Sequence, residues 1–221
     1  MIVSSREARV GNGLSKMKIK VIKYIKRLFC KNAELMDIFA NDNFQMSISE
    51  RDYPPFISLA KQQIYAVHAI FVCSDQKLSL IKENIADIFS VDATQIIQQG
   101  VISDGLVLAR CGYRDAMAIS NKKVLTYSFE KDFNNNLVRV VTNSAEFVHA
   151  VKTLPVSPPL PWDAFPSLRP QGYGSLQGRL AFWWENIWRP FWHNLAPDEK
   201  DAFLMQYDVS EEWREFIFCH P

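Results

Sequence analysis

From Ile64 to Cys73 the chain reads Ile-Tyr-Ala-Val-His-Ala-Ile-Phe-Val-Cys, apolar at odd and even positions alike. Side chains alternate across a strand, so a run that is apolar in both registers belongs to a central strand buried on both sides. Such a strand forces a sheet with further elements packed against it.

The flanking sequence supplies those elements. Ser74 or Asp75 opens a helix in which Leu78, Ile81, Ile85 and Ile88 recur at helical spacing. Further strands are predicted at 101–110, 116–120, 124–130 and 137–142, separated by the turn residues Gly112–Asp115, Asn121–Lys123 and Asn134–Asn136. Short connections of this kind make hairpins, hence antiparallel pairing. Ser144 caps a closing helix that presents Phe147, Val148, Val151 and Leu154. The expected fold is therefore α+β: a largely antiparallel sheet with helices packed on a face, plus a Trp-rich all-helical C-terminal segment.

Residues 155–170 hold six prolines, a density that excludes regular structure and predicts an extended strap, pinned to the body by Trp162 and Phe165. Beyond it, Leu180, Trp184, Ile187, Trp188, Phe191 and Leu195 form one helical stripe flanked by Trp183 and Trp192. Glu185, Asn186, Arg189 and His193 fill the opposite side, and Phe182 points with the charges, as an exposed hot-spot aromatic would. Pro190 lacks the N–H that would bond the Asn186 carbonyl, so a kink or a break is expected there. Two short helices follow: one opened by Pro197 and carrying Phe203, Leu204 and Tyr207, the other opened by Ser210 and packed through Trp213, Phe216 and Ile217. The organisation is a leader over 1–15, an α+β domain over 16–154, a Pro/Gly-rich strap over 155–178 and a helical segment over 179–221.

Charge is unevenly spread. Residues 1–31 carry nine Lys+Arg and one acid, Glu7, a net of +8; against a total of +1, the other 190 residues carry −7. Seven carboxylates (Asp198, Glu199, Asp201, Asp208, Glu211, Glu212 and Glu215) crowd the last two helices against only Lys200 and Arg214. They supply good helix N-termini, and they also form a negative surface suited to steered association with a positive partner. The basic run Lys16–Lys31, with seven cations and no acid, is a solvated helix face or a contact for anionic lipid or nucleic acid.

Chemistry is harder to find. Gly172-Tyr-Gly174-Ser-Leu-Gln-Gly178 lacks the spacing of a dinucleotide fingerprint and the Lys-Ser/Thr of a P-loop, and it follows prolines instead of a strand. It reads as a flexible lead-in to a helix. His68, His149, His193 and His220 have no metal-ligand spacing among them apart from the terminal Cys219-His220. Cys30, Cys73, Cys111 and Cys219 show no CxxC pair and read as thiols in a reducing compartment. His68, Cys73 and Cys111 are the candidates for a thiol and base meeting on neighbouring strands, with His149 as another base, although strand cysteines ordinarily serve as small core residues. No catalytic residue, metal site or cofactor site is assigned. No run reaches the ~18 apolar residues of a membrane span and no export signal is apparent, so a cytoplasmic location is expected.

The Trp-rich stretch Trp183–Trp192 and the acidic tail Glu211-Glu-Trp-Arg-Glu-Phe216, on a small α+β chain without catalytic motifs, resemble cytoplasmic immunity proteins of bacterial polymorphic-toxin and type VI secretion systems. The resemblance implies a non-catalytic protein that neutralises a cognate toxin by direct binding, and the acidic surface suits a toxin with a basic active site. The surface expected to make that contact is Phe182, Glu185 and Arg189 with the seven carboxylates from Asp198 to Glu215.

Overall fold

The computed structural model describes residues 32–40, 46, 53–103, 105–108, 122–170 and 176–220. The predicted strand at 116–120, the basic run Lys16–Lys31, the leader over 1–15, Cys30 and Cys111 lie outside them. In chain order the elements are α1 (Asn32–Ile38), β1 (Ile57–Ser58), β2 (Val67–Cys73), α2 (Asp75–Phe89), β3 (Gln99–Ser103), β4 (Leu106–Leu108), β5 (Val124–Asp132), β6 (Asn135–Thr142), α3 (Ala145–Thr153) and α4 (Pro161–Ala164). There follow α5 (Gly178–Trp183), a π-helical turn (Trp184–Trp188), α6 (Arg189–Asn194), α7 (Pro197–Gln206) and α8 (Glu211–Cys219).

The six strands form one antiparallel sheet in the order β1-β2-β6-β5-β3-β4. All seven residues of β2 are buried, as their two-register apolarity requires. On one face Val67, Ala69 and Phe71 of β2, Val138 and Val140 of β6, and Leu125, Tyr127 and Phe129 of β5 pack beneath α2 and α3. The N-caps are as expected: Ser74 Oγ accepts from the Lys77 N–H at 3.4 Å and Ser144 Oγ from the Phe147 N–H at 3.2 Å.

The opposite face is shared. Ile70, Val72 and Leu137 meet the tryptophan-rich helices, while Val101, Val124 and Val141 meet Leu35, Ile38 and Phe39 of α1. Helices therefore cover both faces of the sheet. Between the two apolar halves runs a set of buried polar side chains, His68, Thr126, Ser128 and Arg139, whose register puts Arg139 opposite both Ile70 and Ser128, and Ser128 opposite Gln99.

Four local expectations need correction. The strand predicted over 101–110 is a hairpin: Ser103 pairs with Leu106, and Gly105 before it sits at φ +79°, a left-handed conformation that glycine adopts without strain. The next hairpin turns one residue earlier than its three asparagines imply, through Phe133 and Asn134 at φ +53° and +55°. A buried phenylalanine is costly there, and its ring is held by Phe165 at 5.6 Å and Phe182 at 6.2 Å, with the Arg179 guanidinium 5.4 Å above it. The proline strap is pinned as expected, Trp162 against Trp213 and Phe165 against Trp183, but it contains one helical turn, because Pro161 occupies a first-turn position where no N–H is needed. Finally, Pro190 produces no break: the helical segments run on through it. The helix widens just before it, the Arg189 N–H bonding the Trp184 carbonyl five residues back, and Asn186 Nδ2 donates to the Phe182 carbonyl at 2.7 Å.

That wide turn reorganises the tryptophans. On a regular helix Trp183 and Trp188 lie about 140° apart; here five-residue bonding brings them onto one side, stacked at 5.6 Å, with Trp192 stacked on Trp188 at 5.7 Å. Trp183, Trp184 and Trp188 are among the largest fully buried side chains of the protein.

Candidate functional site

Each of the last two helices is held down by one apolar side and left free on the other. In α8, Trp213, Phe216 and Ile217 face inward, so the spacing of Glu211, Glu215 and Phe218 puts all three outward. In α7, Leu204 is buried and Phe203 half-buried, which turns Asp198, Asp201 and Met205 out together. The α7 helix opens on Pro197, and Glu199 Oε2 accepts the Ala196 N–H at 2.7 Å, so that carboxylate does structural duty as a cap.

Apolar side chains lie exposed among these acids. Of five large apolar residues exposed on the described surface, three, Met205, Tyr207 and Phe218, belong to this region, at 72%, 43% and 54% exposure. Tyr207 and Phe218 continue the aromatic core outward: Tyr207 packs on Phe203 at 4.9 Å, Phe218 on Trp192 at 6.1 Å, and Trp192 and Phe203 meet at 6.1 Å. Lys200 Nζ stands 5.4 Å above the Trp192 ring. The surface thus sets aromatic side chains, anchored from below, among the carboxylates of the same segment.

All seven predicted carboxylates of this region are exposed. The other three members of the predicted contact are placed differently. Phe182 is not an exposed hot spot: the end of α5 that carries it packs on the β5–β6 turn, and its ring stacks on Phe133. A helical wheel assigns that side to solvent because it cannot see the hairpin. Glu185 and Arg189 are half-buried and pair with each other at 2.9 Å, so neither presents a free charge. Sequence reasoning also missed Met205 and Phe218 and turned Tyr207 inward. Phe218 was recoverable, since it falls three and seven residues after Glu215 and Glu211.

Of the thiol–base alternative, Cys111 lies outside the described residues, and the His68–Cys73 pairing separates in space. His68 and Cys73 lie on one strand five residues apart, hence on opposite faces of the sheet. Burial, with the nearby Asp75 carboxylate adding to it, pushes the Cys73 thiol up to about 12, so it stays a protonated core group. His149 is exposed on α3. Among the described residues no group of three or more His, Cys, Asp or Glu is placed to hold a metal ion, and no helix is long and apolar enough to cross a membrane.

Burial lowers the His68 imidazole from 6.5 to about 4, and its Nδ1 meets no hydrogen-bond partner. Because the folded value lies below the unfolded one, the unfolded chain binds the extra proton first. Stability is therefore full above about pH 6.5 and lost as pH falls toward 4, by about 2 kcal/mol at pH 5. Urea unfolding at pH 7 and pH 5 should show that difference between the native chain and His68→Leu; equal losses in the two would mean that His68 titrates normally.

Set against known protein families, curated proteins and solved structures, the chain matches none of them.

Proposed function

We propose that this protein binds another protein through the α7–α8 surface, and that the partner is a toxin whose active site is basic. One observation carries the reading: Met205 and Phe218 on these two short helices, and Tyr207 between them, are exposed beside seven exposed carboxylates, six on the helices and Asp208 in their connection. Carboxylates alone would serve solubility. Three large apolar groups kept in water beside them cost free energy that a monomer has no reason to spend. Aromatic anchors within a charged rim are the composition of a protein contact, the rim steering encounter and the anchors slowing release. A basic active site on the partner would be covered by such a surface, which is how a stoichiometric inhibitor acts.

The test uses a toxin with a basic active site, sought first among the products of the genes adjoining this one. Phe218→Ala should weaken binding about 10- to 100-fold, mostly through faster dissociation. Asp201→Lys with Glu215→Lys should slow association, flatten its salt dependence and abolish growth rescue on co-expression. If both variants bind and protect as the native chain does, this surface is not the contact.

A further inference from the structure

We propose that the cleft where β3 begins beside β5 is a binding site for a carboxylate-bearing ligand, with Arg139 as its charge partner and Glu130 as the built-in carboxylate that the ligand displaces. The cleft has a volume of about 420 Å³, within the range that takes a small molecule, and is lined by Ile97, Gln98, Gln99, Ser128, Phe129 and Glu130. It exists because β5 outruns its neighbour: β3 pairs with β5 only as far as Gln99 opposite Ser128, while β5 continues to Asp132.

At its lip the Glu130 carboxylate bridges two groups of the polar row behind it. Oε1 accepts from Ser128 Oγ at 3.0 Å, and Oε2 lies 2.8 Å from Arg139 Nη1. The two partners of that ion pair are unequal. The Arg139 side chain is 4% exposed and the Glu130 side chain 49%. Arg139 is the committed member, a cation fixed inside the protein; Glu130 can turn into water when another carboxylate takes its place beside that cation.

The guanidinium is also incompletely used. Its contact with Glu130 is an ion pair without hydrogen-bond alignment, and its Nε meets no partner at all. Arginine offers five donors in a fork that a carboxylate fills bidentately, so one poorly aligned carboxylate leaves most of that capacity open. A ligand carboxylate entering from the cleft would find the guanidinium and the Ser128 hydroxyl where Glu130 now sits. The rest of the ligand would lie against the Gln98 and Gln99 amides and the apolar Ile97 and Phe129. Phosphate is the less suitable anion, since the cleft offers one buried cation beside a carboxylate.

This site lies on the sheet, and its failure would leave the α7–α8 reading untouched. The experiment is rescue of Glu130→Ala, which removes the built-in carboxylate and leaves its place open. At equal ionic strength, sodium acetate should raise the melting temperature of Glu130→Ala by about 3 °C or more over sodium chloride. The double variant Glu130→Ala/Arg139→Met should respond equally to both salts. Should Glu130→Ala not fold, the wild-type chain is titrated instead, with acetate expected to shift the Arg139 Nε–H and Gln99 side-chain amide resonances. The tripeptide Ac-Ala-Ala-Ala-OH and its C-terminal amide then identify the source: a response to the acid exceeding that to acetate points to a peptide terminus, and equal responses point to a free small carboxylate. No acetate-specific stabilisation in Glu130→Ala, or in its stead no resonance shift in the wild type, overturns the proposal.

Discussion

Trp188→Ala should cost about 4 kcal/mol of folding stability, enough to leave much of the protein unfolded without denaturant. The ring is 1% exposed and lies at the centre of the aromatic cluster, stacked between Trp183 and Trp192 and touching Trp184, Phe191 and Phe203. Nothing nearby is mobile enough to fill the space, because the neighbours are themselves locked by one another and by the π-helical turn. Trp188→Phe supplies the contrast. The indole N–H is buried without a hydrogen-bond partner, so phenylalanine removes an unsatisfied donor along with some volume. Its cost should stay below about 2 kcal/mol. Urea denaturation followed by far-UV circular dichroism measures both. An alanine variant less than about 1 kcal/mol below the native chain would show that the helical segment contributes little to holding the sheet.

Glu130→Ala should be nearly as damaging, at about 3 kcal/mol, while Arg139→Met should lie within about 1 kcal/mol of the native chain or above it. The asymmetry follows from burial. Removing Glu130 strands a cation inside the protein; removing Arg139 leaves a carboxylate that is already half in water. Methionine also fits the setting, because Arg139 stands opposite Ile70 and beside the apolar cluster of Val72 and Leu137. Equal costs for the two substitutions would show that the pair acts as an ordinary surface ion pair, with the guanidinium reaching solvent when its partner goes.

Parts of this fold were legible because their causes are local. The two-register apolarity of β2, the caps Ser74 and Ser144, and the spacing of Ile81 and Ile85 each state their structure within a few residues. The misses have distant or cooperative causes. Phe182 is covered by a turn some fifty residues earlier in the chain, and no periodicity announces that. The division of one sheet face between α1 and the tryptophan helices depends on which segments return to it.

The candidate surface was half legible. Its carboxylates declare themselves as charge. Its apolar members do not, since Phe203, Leu204, Met205 and Tyr207 run almost continuously along α7 and give no stripe from which an outward residue would stand apart. Only the packing of Leu204 against the core settles which way that helix is turned.

Among the described residues, the wide turn at Trp184–Trp188 marks a helix whose length is fixed to the residue. Deleting one residue there would give a more regular helix and a poorer fit. Everything from Pro190 onward would swing by about a quarter turn relative to Trp183, taking Trp192 off its stack and dragging α7 and α8 with it. Elsewhere, insertions in the connections between elements are absorbed cheaply. Here a single-codon deletion would move the whole anionic, aromatic surface to a new bearing on the sheet.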